Sequence, residues 1–130
     1  LILDLWGISF HAVVIFGLGK NLLFKSILGL CVLITYLGKE KQIFYTAIND
    51  SPNRNGEQDQ ILGFSKKDKL DLSGFDQKLR FIDGDAFKGT AGDVRFKKGT
   101  LEMDHDGDGS ADFAVLMSGV KSLKGSNLIL

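Results

Sequence analysis

Residues 104–118 read DHDGDGSADFAVLMS, an acidic loop that runs directly into an apolar segment. Aspartate occupies loop positions 1, 3, 5 and 9, and glycine occupies position 6. Calcium is a hard cation that takes about six to eight oxygen ligands, and this alternation turns side chains inward while the glycine permits a sharp bend. We therefore predict a calcium loop in which Asp104, Asp106, Asp108 and Asp112 supply side-chain oxygens and Ser110 supplies its backbone carbonyl.

The loop departs from an EF-hand at position 12, where Val115 replaces the bidentate glutamate. The apolar run from Phe113 to Met117 favours a strand after the loop rather than a helix. A solvated Asp- and Gly-rich turn is the alternative. That alternative explains one or two aspartates, but not four in register.

The rest of the C-terminal part alternates short apolar segments with turn residues, such as those of the polar loop at residues 49–56. Short β-rich runs bounded by Gly, Pro, Asn, Asp and Ser are typical of strands joined by turns. We therefore predict an all-β fold, with strands at residues 43–48, 60–64, 69–72, 78–82, 93–96, 101–103, 111–118 and 127–130.

The N-terminal part is strongly apolar, and its glycines are regularly spaced. FGLGKNLLF at residues 16–24 and LGKEKQIFY at residues 37–45 follow the nonapeptide layout G-G-x-G-x-D-x-U-x, and LGLC at residues 28–31 begins one nonapeptide before the second of them. The aspartate positions of that layout hold Asn21, Leu33 and Gln42, so these turns have lost the charge that binds a metal. We interpret residues 1–45 as worn β-roll repeats, although an ordinary pair of buried strands or helices with incidental glycines explains the spacing equally well.

The same segment contains apolar runs at residues 8–19 and 26–38, which also permit an apolar hairpin in a membrane. Each run is shorter than the roughly 20 residues that a spanning helix needs. We therefore keep the hairpin as an alternative and do not expect a membrane partner.

Composition excludes several classes of function. Lys plus Arg equals Asp plus Glu at 16 each, so no overall charge attracts nucleic acid, and the single cysteine, Cys31, excludes a disulfide scaffold. The sequence contains no H-E-x-x-H and no G-x-S-x-G, and its two histidines, His11 and His105, are far apart. We predict no catalytic residues and expect His105 to be a solvated loop residue.

The chain begins at Leu1, and its methionines are Met103 and Met117. We therefore expect it to be the tail of a longer reading frame, with an upstream domain of the same polypeptide as its partner.

Five blocks, in order, carry a resemblance to a known family: IFYT at residues 43–46, DQILGF at 59–64, DKLDLS at 68–73, FKGTAGDVRF at 87–96 and DHDGDGSADF at 104–113. Together they resemble the C-terminal domain of serralysin-type peptidases and related RTX, or hemolysin-type, calcium-binding proteins. The resemblance covers residues 42–130, about two thirds of the chain.

This resemblance implies a parallel β-roll remnant at residues 1–45 and, at residues 46–130, a β-sandwich-like C-terminal cap that binds calcium and directs secretion. It implies Ca²⁺ as the cofactor, a secreted, extracellular location and the type I secretion apparatus as a partner. It also adds Asp68 and Asp71 to the candidate calcium ligands.

Two departures from the family pattern bear on these expectations. Gly63 replaces the second acidic residue of D-x-I-x-D-F, and the chain ends in SNLIL at residues 126–130, where the family often has D-F-[IV]-[LV]. Two other functions stay open: the tail of a serralysin-like zinc metalloprotease whose catalytic domain lies upstream, and a membrane-anchored interaction module.

Overall fold

The computed structural model describes residues 4–5, 8–9, 12–15, 22–26, 32–34 and 40–130 of the chain. Its strands are β1 (Asp4–Leu5), β2 (Ile8–Ser9), β3 (Ala12–Ile15), β4 (Leu22–Ser26), β5 (Val32–Ile34), β6 (Lys41–Phe44), β7 (Asp59–Leu62), β8 (Lys69–Asp71), β9 (Arg80–Phe81), β10 (Asp93–Lys97), β11 (Thr100–Asp104), β12 (Phe113–Ser118) and β13 (Leu128–Ile129). Two short 3-10 helices lie at Ile48–Asp50 and Gly125–Asn127.

The strands form two larger sheets and one small pair. A six-stranded sheet has the order β5-β7-β12-β11-β10-β9, a five-stranded sheet has the order β13-β8-β6-β4-β3, and β1 pairs with β2. The prediction of an all-β fold is therefore confirmed. None of the helices in the described residues is long and apolar enough to cross a membrane.

Both larger sheets contain parallel and antiparallel pairs. Strands β4, β6, β8 and β13 pair in parallel in one sheet, and β5, β7 and β12 do so in the other. From β4 to β8, successive strands therefore alternate between the two sheets. Strands β10, β11 and β12 form an antiparallel meander.

Within the part of the chain that the structure describes, the core is a cluster that draws apolar side chains from both sheets. Because side chains alternate along a strand, Val94 and Phe96 of β10 are buried, whereas Arg95 between them is half-buried. Phe113 lies near the centre of this cluster, with its ring 5.1 Å from that of Tyr45 and 5.5 Å from that of Phe75, both in edge-to-face geometry. Such aromatic pairs stabilise a core beyond their buried area.

The end of the chain is held in the five-stranded sheet. Strand β13 pairs in parallel with β8, and the Leu72 amide donates to the Ile129 carbonyl at 2.7 Å. The side-chain amide of Asn127 donates to the carbonyls of Lys66 and Asp68, each at 3.1 Å. One amide thereby satisfies two backbone acceptors of a distant loop.

The predicted strands from residue 60 onward are present, although the strand at 78–82 is reduced to β9. The strand predicted at 43–48 is wrong in its second half, because β6 ends at Phe44 and a 3-10 helix begins at Ile48. The cause is Asp50, whose carboxylate accepts hydrogen bonds from the amides of Thr46 and Ala47 at 2.9 and 3.0 Å and so turns the backbone out of the sheet.

The glycines at residues 17, 19, 29 and 38 lie outside the described residues. The worn repeats and the division of the chain at residue 45 accordingly stay predictions.

Glycine is required where the backbone of Gly92 passes Lys78. Gly92 has φ +84°, and a Cβ at this position would overlap with the Lys78 carbonyl oxygen. Gly56 has φ +82° with no atom within 4 Å of such a Cβ, so it provides a matched control. Gly56→Ala should lower the free energy of unfolding by about 1–2 kcal/mol, the cost of a left-handed alanine. Gly92→Ala should lower it by roughly a further 1–3 kcal/mol because of the overlap.

Urea unfolding of both variants measures this difference. Equal losses of stability would show that the approach of Gly92 to Lys78 does not constrain the fold.

Candidate metal centre

The acidic loop connects two neighbouring strands of the six-stranded sheet. Strand β11 ends at Asp104 and β12 begins at Phe113. The Asp112 amide donates to the Met103 carbonyl at 2.9 Å and closes the base of the loop. Gly107 and Gly109 have φ +81° and +89°, a region that glycine enters without strain. The loop therefore projects from a fixed base and turns at two glycines.

Three of its carboxylates converge. Asp104, Asp106 and Asp108 each present an oxygen, and these oxygens lie within 4.8 Å of one another. Calcium binds oxygen at about 2.3–2.6 Å, so two of its ligands lie at most about 5.2 Å apart. The carboxylates thus fit around one calcium ion, and their hard oxygen donors suit that metal.

Hydrogen bonds within the loop hold this arrangement. Asp104 is fully buried and accepts from the amides of Gly107 and Gly109 at 2.7 and 3.0 Å. Asp106 Oδ1 accepts from the Asp108 amide at 3.0 Å, and Asp108 Oδ1 accepts from the Ser110 amide at 2.7 Å. Each exposed aspartate therefore uses Oδ1 to shape the turn, which leaves Oδ2 outside these hydrogen bonds and available to a cation.

Asp112 has a different position from the other three. Its Oδ2 accepts from the amides of His105 and Asp106 at 2.8 and 3.3 Å, and so ties the end of the loop to its beginning. It is not part of the cluster formed by Asp104, Asp106 and Asp108. The roles of Asp112 as a side-chain ligand and of Ser110 as a carbonyl ligand stay predictions.

Asp71 ends β8, Asp68 immediately precedes that strand, and neither residue is part of that cluster. Asp68 accepts from the Ser65 amide at 2.7 Å. Asp71 accepts from the amide and hydroxyl of Ser73 at 3.0 and 2.6 Å, and from Gln42 Nε2 at 2.5 Å. Gln42 stands at one of the aspartate positions of the nonapeptide layout, so a neutral amide faces Asp71 there. Asp68 and Asp71 as calcium ligands stay predictions.

His105 is half-buried, which corrects the expectation that it is solvated. Its Nδ1 is buried without a hydrogen-bond partner, and its ring centroid lies 6.3 Å from that of Phe75. Phe75 also contacts Phe113. The imidazole therefore extends the row of aromatic rings to the beginning of the acidic loop.

The loop that precedes β10 packs against the acidic loop. The aspartate spacing alone did not predict this contact. A Cβ on Gly107 would lie 2.7 Å from the Ala91 amide nitrogen, and a Cβ on Gly89 would lie 3.3 Å from the Gly107 carbonyl oxygen. The Gly92 amide donates to the Asp104 carbonyl at 2.7 Å. The only sequence signal for this contact was the glycine spacing of the block at residues 87–96.

Comparison with known protein families identifies a match. The chain matches the family described as "Peptidase M10 serralysin C terminal" over residues 7–130, which is most of its length. No curated protein is significantly similar to the chain.

Neutralising one exposed carboxylate should separate metal binding from folding. Asp108→Asn keeps the Oδ1 that accepts from Ser110 but removes the repulsion between its charge and those of Asp104 and Asp106. With a chelator present, we expect the free energy of unfolding to stay equal or rise by up to about 1 kcal/mol. Denaturant titration at low ionic strength measures the change.

The control is Asp76→Asn, which neutralises an exposed aspartate outside the cluster and should leave stability unchanged. A clear loss of chelator stability in Asp108→Asn alone would mean that the charge of Asp108 is needed to fold the loop.

Proposed function

The chain belongs to the peptidase M10 serralysin C-terminal family, and from this premise we propose that it is a non-catalytic domain that binds calcium, folds in response to it and supports type I secretion of an upstream domain. The observation that carries the proposal is the convergence of Asp104, Asp106 and Asp108 within 4.8 Å. Calcium at this loop would supply the positive charge that offsets the three carboxylates.

Repulsion among the carboxylates makes the loop dependent on a cation. Two unit charges at this separation repel by about 1 kcal/mol in water-like surroundings and by roughly 3 kcal/mol at the effective dielectric of a protein surface. Within the described residues, no lysine or arginine forms an ion pair with any of the three. A bound cation would therefore stabilise the folded loop, and with it the folded chain.

Contacts from the loop to the rest of the fold would transmit that stabilisation. The Asn53 amide donates to the Asp112 carbonyl at 2.8 Å, and the Asn53 side chain donates to the Ala111 carbonyl at 2.9 Å. Phe113, the next residue, enters the aromatic core and forms a bridge with Pro52. Order in the loop thus fixes where β12 and the segment before β7 meet.

The calcium concentration of each compartment would decide whether the chain is folded there. A ligand that binds only the folded state stabilises it by about 2.7 kcal/mol at a hundred times its dissociation constant. The chain would therefore stay loosely folded in a calcium-poor cytoplasm and would complete its fold outside the cell. On this proposal the domain is secreted and acts on the maturation of its upstream partner, without catalytic residues of its own.

A second candidate is the tail of a zinc metalloprotease, which is favoured by the peptidase family that the chain matches. The two candidates share the calcium loop and differ in what lies upstream. Translation of the upstream reading frame and a gelatin-overlay assay of the intact product distinguish them, because a peptidase would need its zinc-binding histidines there.

Calcium should raise the melting temperature of the purified chain by about 5–15 °C at saturation, as expected for a stabilisation of a few kcal/mol. The matched variant, Asp106→Asn with Asp108→Asn, retains both Oδ1 acceptors and should lose most of this rise. Circular dichroism during a calcium titration measures both proteins, and magnesium at equal ionic strength serves as the control because it demands a tighter octahedral shell. A rise of equal size in parent and variant would place the calcium elsewhere, and no rise in the parent would refute calcium-dependent folding.

Secretion is tested with the full 130-residue chain placed after a reporter that folds without calcium. In a host with a type I secretion apparatus, we expect the reporter in the culture medium. The matched controls are the same host without the transporter and the reporter without the chain. Retention of the fusion in the transporter-containing host would exclude the secretion role for this chain.

A further inference from the structure

A row of charged side chains covers the outer face of the six-stranded sheet beside the acidic loop. Asp93 of β10 lies directly opposite Asp104 of β11, and Arg95 lies opposite Glu102. Arg80 of β9 lies opposite Asp93 on its other side. The intervening residues of β10 and β11 face the core, so these five side chains share one face.

Two of these neighbours are buried carboxylates. Asp93 is 1% exposed and Asp104 is 0% exposed. Side chains directly opposite each other in an antiparallel pair have Cβ atoms only about 4.5–5.5 Å apart, and like charges there are destabilising. Both carboxylates must therefore be compensated for the strands to pair in this register.

The two are compensated differently. Arg80 binds Asp93 through both ends of its guanidinium, with Nε 2.9 Å from Oδ1 and Nη2 3.0 Å from Oδ2. The Nε of Arg95 donates to Glu102 Oε2 at 2.6 Å. Asp104 accepts hydrogen bonds from the backbone amides of its own loop and has no arginine partner within the described residues. The face thus has a fixed cation for each carboxylate except the one at the calcium loop.

The position of Arg80 is fixed relative to that loop by the backbone. The Arg80 amide donates to the Gly92 carbonyl at 2.9 Å, and the Gly92 amide donates to the Asp104 carbonyl at 2.7 Å. Gly92 therefore links the backbone of Arg80 to the backbone of Asp104, the first candidate ligand. Arg80 and Asp93 line a cavity of about 330 Å³ together with Asp83, Asp85 and Lys88. Of the two basic residues in this cavity, Arg80 forms the ion pair with Asp93.

We infer that Arg80 is a positioning residue of the metal centre: its bidentate pair with Asp93 neutralises the carboxylate that lies opposite Asp104 and so sets how strongly the loop depends on calcium. The inference rests on the proposed calcium function. With Arg80 in place, Asp93 adds no net charge to the site, and calcium has only the loop carboxylates to neutralise. Without Arg80, Asp93 adds a fourth negative charge next to Asp104, which weakens the fold in a chelator and strengthens the attraction for calcium.

The test compares the calcium-induced rise in melting temperature of the full chain, between chelator and saturating calcium, across four proteins. Arg80→Met should melt lower than the parent in chelator and should gain at least about 5 °C more from calcium than the parent does. Asp93→Asn should have a calcium response close to that of the parent. The double variant should respond like Asp93→Asn alone, because the effect of Arg80 passes through the Asp93 charge.

Two further variants separate positioning from mere structural support. Arg80→Lys keeps the charge but not the bidentate geometry, and should return most of the parent response. Arg95→Met removes the other arginine of the face, whose partner is Glu102, and should lower stability equally in chelator and in calcium. An Arg80→Met response equal to that of the parent, or one that persists in the double variant, would overturn the inference while leaving calcium binding intact. Absence of any calcium response in the parent would instead count against the proposed function itself.

If Arg80→Met does not fold in chelator, calcium is titrated into this variant without denaturant and into the parent at the urea concentration that half unfolds it. Recovery of β-structure with calcium supports the inference, and failure to recover at any calcium concentration contradicts it.

Discussion

Repulsion between carboxylates at the end of β11 is the constraint around which this part of the molecule is organised. Asp104 is buried where its strand meets the acidic loop, with Asp106 and Asp108 within 4.8 Å and Asp93 opposite on the next strand. Charges so close are tolerated in a folded protein when cations or hydrogen-bond donors offset them. The backbone amides of the loop compensate Asp104, and the guanidinium of Arg80 compensates Asp93. The proposed calcium ion would compensate the carboxylates of the loop.

The aromatic core connects that charged site to the rest of the fold. Asp112 closes the loop, and the next residue, Phe113, packs against Tyr45 and Phe75. Tyr45 follows β6 of the five-stranded sheet, whereas Phe113 begins β12 of the six-stranded sheet. A change in the order of the loop therefore acts on packing between the two sheets, and the proposed calcium ion would act on both of them through this contact.

Much of this could be predicted from the sequence, because the decisive signals were local. Short apolar runs bounded by turn residues located β10 and β11, and the aspartate spacing located the loop and four aspartates, of which three converge. The end of β6 was missed because it depends on the Asp50 carboxylate, whose bonds to Thr46 and Ala47 compete with the sheet. The pair of Arg80 with Asp93 was missed because only the parallel register of β9 and β10 brings together residues 13 apart in the chain. The position of His105 was likewise missed, because its ring lies near that of Phe75, a residue far away in the sequence.

The docking of β13 has a consequence for the order of events during synthesis. The five-stranded sheet has β13 at one edge, and the Asn127 side chain satisfies carbonyls that lie about sixty residues earlier, at Lys66 and Asp68. A ribosome releases these partners long before residue 129 exists, so the nascent chain carries an unfinished sheet edge until translation has passed that point. Contacts of such long sequence separation also form slowly. Vectorial synthesis therefore delays completion of this sheet whatever the ion content of the compartment.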